Sequence, residues 1–590
     1  MKSRHIISGG ILRSSSDQRR EKSDAIEFFF NSEKISAKNG DSIASALIHA
    51  GIYEFKESVD NTSRGIFCGM GACYECLVDV KGEGEKLACM TFAQAGIEVT
   101  QKSAYPSVEI KGTQIEEGSL PEIEISPDVL VIGAGPAGLA CATILAESGL
   151  SVVLLDERAK LGGQYFKQPS EPFLDIQNLD HQFREGRALI QRTKNSGVQI
   201  YSGTAVWGAF SFENIVAANA HQRLIIRAKR LVLSTGAYER GLFAPGWTLP
   251  GVMTTGAAQT LLRSYNVRPG KRTFIAGNGP LNMQMAAELV RSGGVVTGLS
   301  ELANPFTIKN FAPALALFWY SPSMVFKGIG YFLTLIRAKV PVYFNRVVTD
   351  FRGDSVVQEL SLSEVDRAGY PIAESSISFE VDSVAIGYGF LSSNEIARSL
   401  GCKHEYDGKS QSYRVVRDEY GFTSLSHVHV LGDGGAIFGA QVAQAGGVLA
   451  ASKILSELGG RSTRTLNREV RRARFRYRRN LRFQKWLWRV FDAPTITTQV
   501  ATEATVVCRC LGISREEVEK SFSEDVLSAG ALKRITRAGM GMCQGRYCGV
   551  FTMNAVQEKR SETPHEFSGF APQVPYKPTA ISVIAQSESK

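Results

Sequence analysis

Eight of the chain's ten cysteines fall into two tight sets far apart in the sequence. Cys68, Cys73, Cys76 and Cys89 are spaced C-x4-C-x2-C-x12-C, and Cys508, Cys510, Cys543 and Cys548 are spaced C-x-C-x32-C-x4-C. Cys141 and Cys402 stand alone. Disulfides and ligation compete as explanations. The opening "MKSRHIISGGILRSSSDQRREKSD" lacks the continuous apolar run of a secretory signal, and Asp17, Glu21 and Asp24 argue against a transit peptide. A disordered tail over residues 1–24 and a cytoplasmic location are therefore expected. Structural disulfides are rare in that reducing compartment. Close spacing within each set favours ligation, so any fold of this chain has to turn four thiols inward in each of two places.

The first spacing is that of plant-type [2Fe–2S] ferredoxins. Each iron takes two thiolates and two bridging sulfides, and the loop must curl round this anion and aim backbone N–H groups at its sulfurs. Gly69, Gly71 and Ala72 permit that close approach. Zinc is the competing ligand, although structural zinc prefers two short C-x(2–4)-C knuckles. Upstream, "AIEFFFNSEKISAKNGDSIASALIHAGI" reads as a strand, a turn at Asn39-Gly40 and a helix capped by Asp41 or Ser42. With "RGIFCGMGACYECLV" and "ACMT", this part resembles the ferredoxin domain of sarcosine-oxidase-like and cyanide-synthase-like enzymes, from about residue 25 to residue 103. The resemblance implies a β-grasp domain over residues 25–105 holding one [2Fe–2S] cluster on Cys68, Cys73, Cys76 and Cys89. In the second set, "VVCRCLGISREEVEKS" contains a Ser514–Glu517 capping box, and "GMGMCQGRYCGV" follows. It resembles the bacterioferritin-associated-ferredoxin-like (BFD-like) [2Fe–2S] module, a small helical fold expected over residues 501–560. Zinc stays open here because C-x-C is less diagnostic. The family pattern has an acid after C-x-C where this chain has Leu511, a position that is not a ligand.

Between the two sets, "DVLVIGAGPAGLACATILAESGLSVVLLDE" (128–157) runs from an apolar strand through Gly133-x-Gly135-x-x-Gly138 into a helix and on to a second strand ending at Asp156-Glu157. The strand before, the helix after and the acid at its expected distance make this a dinucleotide motif. Gly133 makes the turn, Gly135 lets the backbone reach a pyrophosphate, and Gly138 lets the helix pack on the strand. Pro136 and Ala137 open that helix, whose N-terminus favours negative charge. Asp156 holds the usual ribose-binding place, with Glu157 beside it as the alternative. Three later stretches resemble flavoproteins: "LGGQ" (161–164), "LVLSTGAYE", and "VHVLGDGGAIFGAQVAQAGG". The resemblance implies FAD, with Gly163 and Gln164 along the isoalloxazine, Thr235 and Gly236 on a second contacting strand, and Gly432-Asp433 at the ribityl chain. A second motif, "RTFIAGNGPLNMQMAAELVRSGGVVTGLSE", keeps Gly277 and Gly279 but has Asn282 at the third glycine position and Glu301 near the second strand's end. A larger side chain there pushes helix and strand apart, which argues against turnover with NAD(P)H and leaves nucleotide binding open.

The stretches "STGAYERGLFAPGWTLPGVMTTGAAQTLL" and "AIGYGFLSSNEIARSLGC" extend the pattern. Residues 128 to about 555 closely resemble the alpha (A) subunits of opine oxidases and their relatives in hydrogen cyanide synthase and D-hydroxyproline dehydrogenase. The expected architecture is α/β: a two-dinucleotide-binding, Rossmann-like flavoprotein core over 128–465, with its second nucleotide subdomain at about 268–385. A linker (106–127) precedes it, and a connector (466–500) and a C-terminal tail (561–590) flank the second cysteine module. The resemblance also implies oxidation of a CH–NH bond by a separate beta subunit with a D-amino-acid-oxidase-like FAD fold, an additional FMN at the subunit interface, and a one-electron acceptor or respiratory chain. Accordingly, no catalytic acid, base or nucleophile stands out. The eight histidines are scattered, and "HVH" (427–429) lies in an apolar strand, where a structural role is expected. Two other classes remain: an NAD(P)H-dependent reductase feeding electrons outward through its clusters, and a non-catalytic scaffold.

Charge separates one segment from the rest. Residues 461–490 hold twelve Lys or Arg and one acid, Glu469, so of the chain's net +9 this segment carries +11 and the remainder −2. That pattern does not imply nucleic-acid binding. "REVRRARFRYRRNLRFQKWLWRVFD" (468–492) reads as an amphipathic helix with Leu481, Phe483, Leu487 and Val490 in a stripe and Trp486 and Trp488 beside it. It fits either a helix lying on an anionic membrane surface, the inner face for a cytoplasmic protein, or a connector with a solvated basic face. "FAPALALFWYSPSMVF" (311–326), broken by Pro313 and Pro322, is too short to span a bilayer and is expected at a core or subunit interface.

Overall fold

The structure, a computed structural model, describes residues 25–104, 120–170, 180–460, 462–523 and 528–585. The tail expected over 1–24 lies outside them. Alternating Ile26, Phe28 and Phe30 face Ile35 and Ala37 across an antiparallel hairpin of Ala25–Phe30 and Glu33–Lys38. Helix α1 (Ile43–His49) starts at Ser42, whose hydroxyl accepts from the Ser45 N–H, and buries most of its length. It packs on a five-stranded sheet ordered Glu33–Lys38, Ala25–Phe30, Glu98–Gln101, Leu77–Val80, Gly84–Leu87.

The core holds two parallel five-stranded sheets. The first runs Gln199–Ser202, Val152–Asp156, Val129–Ile132, Arg230–Leu233, Val428–Val430. Its apolar strands are covered on one side by α2 (Pro136–Glu147) and α3 (His181–Asn195). The second runs Val252–Thr254, Ser383–Gly387, Arg272–Gly277, Val295–Glu301, Val342–Phe344. It begins before the residue 268 expected for this unit, because the strand Val252–Thr254 leads directly into α4 (Thr255–Tyr265). Helices α5 (Pro280–Arg291), α6 (Phe311–Tyr320) and α7 (Pro322–Arg337) follow. Residues 106–127 are not linker throughout. Glu122–Ile125 pairs in parallel with Arg223–Ile226, with Ile125 packed inward and Glu122 and Glu124 salt-bridged to Arg223 and Arg227.

After α8 (Glu395–Ser399) and α9 (Ala440–Glu457) comes the basic segment, a helix α10 spanning Arg464–Val490. Its first half packs Leu466, Val470 and Ala473 into the core around α2 and α9, and its second half packs Phe483 and Val490 against Leu317 of α6. It leads into the C-terminal helices α11 (Arg515–Lys520), α12 (Ala529–Thr536) and α13 (Cys548–Arg560). The predicted capping box of α11 forms, with Ser514 and Glu517 satisfying each other's backbone N–H. Residues 561–585 do not trail off as a tail. The Phe570 ring fills the space left by Gly539, Gly545 and Gly549, and buried Tyr576 donates its N–H to Trp207 O at 2.9 Å. Aromatic side chains covering glycine-rich turns pin this segment to the core.

Candidate redox centre

The first glycine loop is shaped by what its missing side chains would strike. A Cβ on Gly133 (φ 103°) would lie 2.4 Å from Ser234 O, and one on Gly138 would lie 1.9 Å from Gly133 O. At Gly135 a Cβ would meet nothing within 4 Å, so the loop's open side is there, at the uncapped N-terminus of α2. Gly163 (φ 62°) closes over the same point, where a Cβ on it would lie 2.8 Å from Gly135 Cα, with Gln164 following. Thr235 donates its hydroxyl to Ser393 O, and Gly236 has φ 71°. Half-buried Asp433 accepts from Phe438 and Gly439 N–H through Oδ1, at 2.9 Å each, just ahead of α9; its Oδ2 makes no hydrogen bond among the described residues. Asp156 commits both oxygens to the loop itself, accepting from Ala134 N–H at 2.6 Å and Arg158 N–H at 2.8 Å. Glu157 has no backbone donor among the described residues and is met by Lys577 from the C-terminal segment. Burial lowers the Lys577 pKa to about 8. Sequence reasoning could not supply Lys577, which comes from the far end of the chain. Pro136 and Ala137 lie in the first turn of α2, and Ala137 lies against Gly432 and against Gly447 of α9. An open glycine loop, an uncapped helix start and a following acid fit a dinucleotide flavin.

The second glycine loop is filled from within. Asn282 is buried and ties α5 to the strand Ser383–Gly387 and to α4, donating to Gly387 O at 3.0 Å and accepting from Thr255 Oγ1 at 2.8 Å. Both oxygens of Glu301 accept from Gly279 N–H at 3.0 Å, and burial raises this carboxyl to about 8. The Trp488 ring of α10 stands 3.4 Å from where a Gly279 Cβ would be, and Asn278 donates to Phe491 O at 3.2 Å. The end of α10 thus lies on the face where Gly135 is open in the first loop.

Both cysteine sets are turned inward as the spacing requires. Cys68, Cys73, Cys76, Cys89, Cys508, Cys543 and Cys548 are buried and Cys510 is half-buried. The thiols meet in pairs: Cys68 with Cys73, Cys76 with Cys89, Cys508 with Cys548, Cys510 with Cys543. Among the described residues no three His, Cys, Asp or Glu side chains gather about one point that could hold a single ion. Two pairs per set suit a two-iron cluster, in which each iron takes two thiolates, better than one zinc. Gly69 and Gly71 take φ of 60° and 78°, and Ala72 and Glu75 N–H point at Cys68 and Cys73 sulfurs at 3.4 and 3.5 Å.

The two sets share one core. Phe67, beside Cys68, packs edge-on to Trp247 (5.5 Å between ring centres) and to Tyr547 (5.4 Å), which lies next to Cys548. The guanidinium of Arg509, between Cys508 and Cys510, lies 4.0 Å from the Phe67 ring centre and 3.1 Å from Glu75, between Cys73 and Cys76. Lys56 (3.2 Å) and Arg64 (3.5 Å) complete the cage round buried Glu75. Burial favours the neutral acid, but Lys56, Arg509 and Arg64 outweigh it and hold Glu75 below the usual carboxylate range. The buried Tyr547 hydroxyl has no partner among the described residues, and its burial, with Cys68, Cys73 and Cys543 nearby, keeps it protonated. It is a donor facing both sets.

A third link joins the flavin side to the first set. Glu239, following Thr235-Gly236, accepts from Gly256 N–H at 2.7 Å, and Lys167, following Gln164, donates to Gly256 O at 2.8 Å. Burial raises Glu239 to about 7 and lowers Lys167 to about 7. Gly69 packs against this first turn of α4, where a Cβ on it would lie 2.9 Å from Ala257 Cα. His429 is buried in its strand, and burial lowers it to about 3, so it stays neutral.

Known proteins match this layout in the same order. Residues 23–104 match the 2Fe-2S iron-sulfur cluster binding domain, residues 127–447 the pyridine nucleotide-disulphide oxidoreductase family, and residues 506–555 the BFD-like [2Fe-2S] binding domain. The alpha (A) subunit of opine oxidase from Agrobacterium tumefaciens is 30% identical over 471 residues, covering 78% of this chain and 91% of that protein. Hydrogen cyanide synthase subunit HcnB of Pseudomonas aeruginosa is 28% identical over 460 residues, covering 77% and 97%. The crystal structure of L-proline dehydrogenase from P. horikoshii superposes with a TM-score of 0.69 at 19% identity, over 96% of this chain and 98% of that one, and shares the fold. This chain belongs to the pyridine nucleotide-disulphide oxidoreductase family, among the flavin and 2Fe–2S oxidoreductase subunits that include HcnB and the alpha (A) subunit of opine oxidase.

Proposed function

We propose that this chain is the electron-transfer subunit of a heteromeric dehydrogenase that oxidises a CH–NH bond of an amino acid or opine. The observation that carries this reading is the shared aromatic core, in which Arg509 of one cysteine set is locked to Glu75 of the other while α4 ties the first set to the flavin loop. Bound FAD would accept electrons in pairs and release them singly, and [2Fe–2S] clusters accept one at a time. In this reading Gly133, Gly135, Pro136, Ala137, Gly138, Gly163, Gln164, Thr235, Gly236, Gly432 and Asp433 hold FAD. Glu157 rather than Asp156 meets its ribose, because Asp156 gives both oxygens to the backbone at Ala134 and Arg158, whereas Glu157 is held only by the Lys577 side chain. The eight paired cysteines hold the two clusters. The buried aromatics exclude water from the interval, and the cationic cage round Glu75 orients the two loops against each other.

The relatives are named as subunits, which supports a partner chain carrying the substrate site and its own FAD. An FMN at that interface and a respiratory or other one-electron acceptor belong to the same reading. Trp488 over Gly279 counts against the NAD(P)H-dependent reductase. The test uses the full chain, purified without oxygen, and offers it opines, D-hydroxyproline and glycine. About four iron atoms and one FAD per chain are expected, with no turnover in the absence of a partner. Steady turnover by the chain alone overturns the two-subunit reading, and rapid flavin bleaching by NADH favours the reductase.

A further inference from the structure

The stretch 311–326 is expected at a core or subunit interface; within α6 and α7 only Leu317 and Leu335 are buried, and many of the other side chains stand exposed. Ile308, Phe311, Leu315 and Trp319 are 95, 75, 64 and 84% exposed, and Phe326 and Ile336 are 61 and 54% exposed. From residue 302 to residue 340 there is no Asp or Glu, while Lys309, Lys327, Arg337 and Lys339 are interspersed. The inner side of α6 rests on α10 through Leu317 and Phe483. Along its outer side α10 exposes Arg468, Arg472, Arg476, Arg482, Lys485 and Arg489, and none of these has a carboxylate partner among the described residues. An exposed apolar face of this kind marks an interaction site.

We propose that this face rests on an anionic lipid bilayer. The α6–α7 hairpin enters the headgroup boundary with its aromatic and aliphatic side chains, and the arginines of α10 meet anionic headgroups. Two observations favour lipid over a protein partner. The row of cations is unneutralised, which suits a surface that supplies negative charge without register. Side chains as exposed as Ile308 and Trp319 stand clear of their neighbours, so a protein would need a matched pocket for each, whereas acyl chains fill round them. Neither helix can cross: α6 has 10 residues and α7 has 16, and no described helix is long and apolar enough to span. The contact is therefore monotopic, with Lys327 and Arg337 long enough to reach back to the headgroups.

The full-length holoprotein is sedimented with phosphatidylcholine vesicles and with vesicles also containing phosphatidylglycerol, at about 0.1 M salt. Binding to the anionic vesicles at least about tenfold tighter than to the neutral ones is expected, weakening as salt rises. The pair Phe311→Asp and Trp319→Asp should abolish binding while flavin absorption is retained. Arg482→Ser with Lys485→Ser and Arg489→Ser should erase the preference for anionic lipid. Should the first pair fail to fold, Phe326→Asp with Ile336→Asp makes the same measurement on α7. Wild type left in the supernatant with anionic vesicles overturns the proposal. So does equal binding by wild type and the aspartate variants. Loss of assembly with a partner subunit in those variants, with no vesicle binding by wild type, assigns the face to a subunit interface instead.

Discussion

The two glycine loops of the core have the same strand, turn and helix and opposite interiors. In the first, the position between the tight turn and the packing glycine faces open space, the acid at the strand end is doubled, and only one of the two is used to hold the loop. In the second, an asparagine plugs the helix–strand contact, the single acid holds the loop, and a tryptophan from α10 leans on the remaining glycine. Whether such a loop can take a nucleotide depends less on its glycine count than on whether its polar groups are already satisfied by the protein. Both helix starts lack a side-chain cap, but in the second loop the Gly279 N–H is already taken by Glu301 and is not free for a phosphate.

The largest contrast comes from the packing position. Gly138→Leu should leave the purified chain with almost no flavin, because its Cβ would lie 1.9 Å from Gly133 O. The flavin-to-protein absorbance ratio reads this directly. Asn282→Gly at the matching place should leave that ratio unchanged and cost about 1–3 kcal/mol of stability by orphaning the buried Thr255 hydroxyl, while Gly387 O keeps the Asn278 N–H. If the two variants lost flavin equally, the loops would not be functionally distinct.

A smaller effect separates the two acids of the first loop. Glu157→Gln should weaken FAD binding by roughly ten- to a hundredfold, the value of a charge-assisted hydrogen bond. Asp156→Asn should act mainly through the loop, lowering the melting temperature more than the affinity. Titration of the flavin-depleted chain with FAD, together with thermal unfolding, distinguishes them. The reverse ranking would return the ribose role to Asp156.

Trp488 sharpens the comparison at the second loop. Wild type mixed anaerobically with NADH should keep its flavin absorption. Trp488→Ala should keep it too, because Asn282 and Glu301 still occupy the loop. Bleaching in Trp488→Ala alone would make α10 the sole barrier.

What could be read in advance follows a physical division. Ligation demands cysteine at set intervals, and close backbone approach demands glycine at set intervals, so Cys68 to Cys89, Cys508 to Cys548 and Gly133 to Gly138 were all legible. Contacts between distant segments leave no spacing to read. Arg509 reaches Glu75 across 434 positions, and neither residue carries a local mark of its partner. Lys577 beside Glu157 and Trp488 over Gly279 are hidden for the same reason. Residues 122–125 alternate for only four positions, too few to separate a strand from a linker. The apolar composition of 311–326 could not distinguish a buried helix from an exposed one, because the difference lies in what packs beside it.

The subtlest test concerns the charge inside each loop. Burial raises Glu301 from the ordinary 4.5 to about 8, despite hydrogen bonds from the Gly279 and Ala303 N–H groups. The folded chain therefore keeps a proton there that the unfolded chain releases above about pH 4.5. Between those two values the folded state binds more protons, so stability should fall as pH rises through the window, by at most about 1.4 kcal/mol per pH unit. Glu239 and Asp156 shift in the same direction, so the whole-protein slope is composite. The difference between wild type and Glu301→Gln isolates one group, since glutamine keeps an acceptor for Gly279 and cannot ionise. Urea midpoints at pH 5 and pH 8 should diverge, with wild type losing ground to the variant at the higher pH. Identical slopes would mean that Glu301 is ionised in the fold. The second loop would then present a carboxylate much as Glu157 does in the first, and the distinction between an open and a filled loop would rest on Asn282 and Trp488 alone.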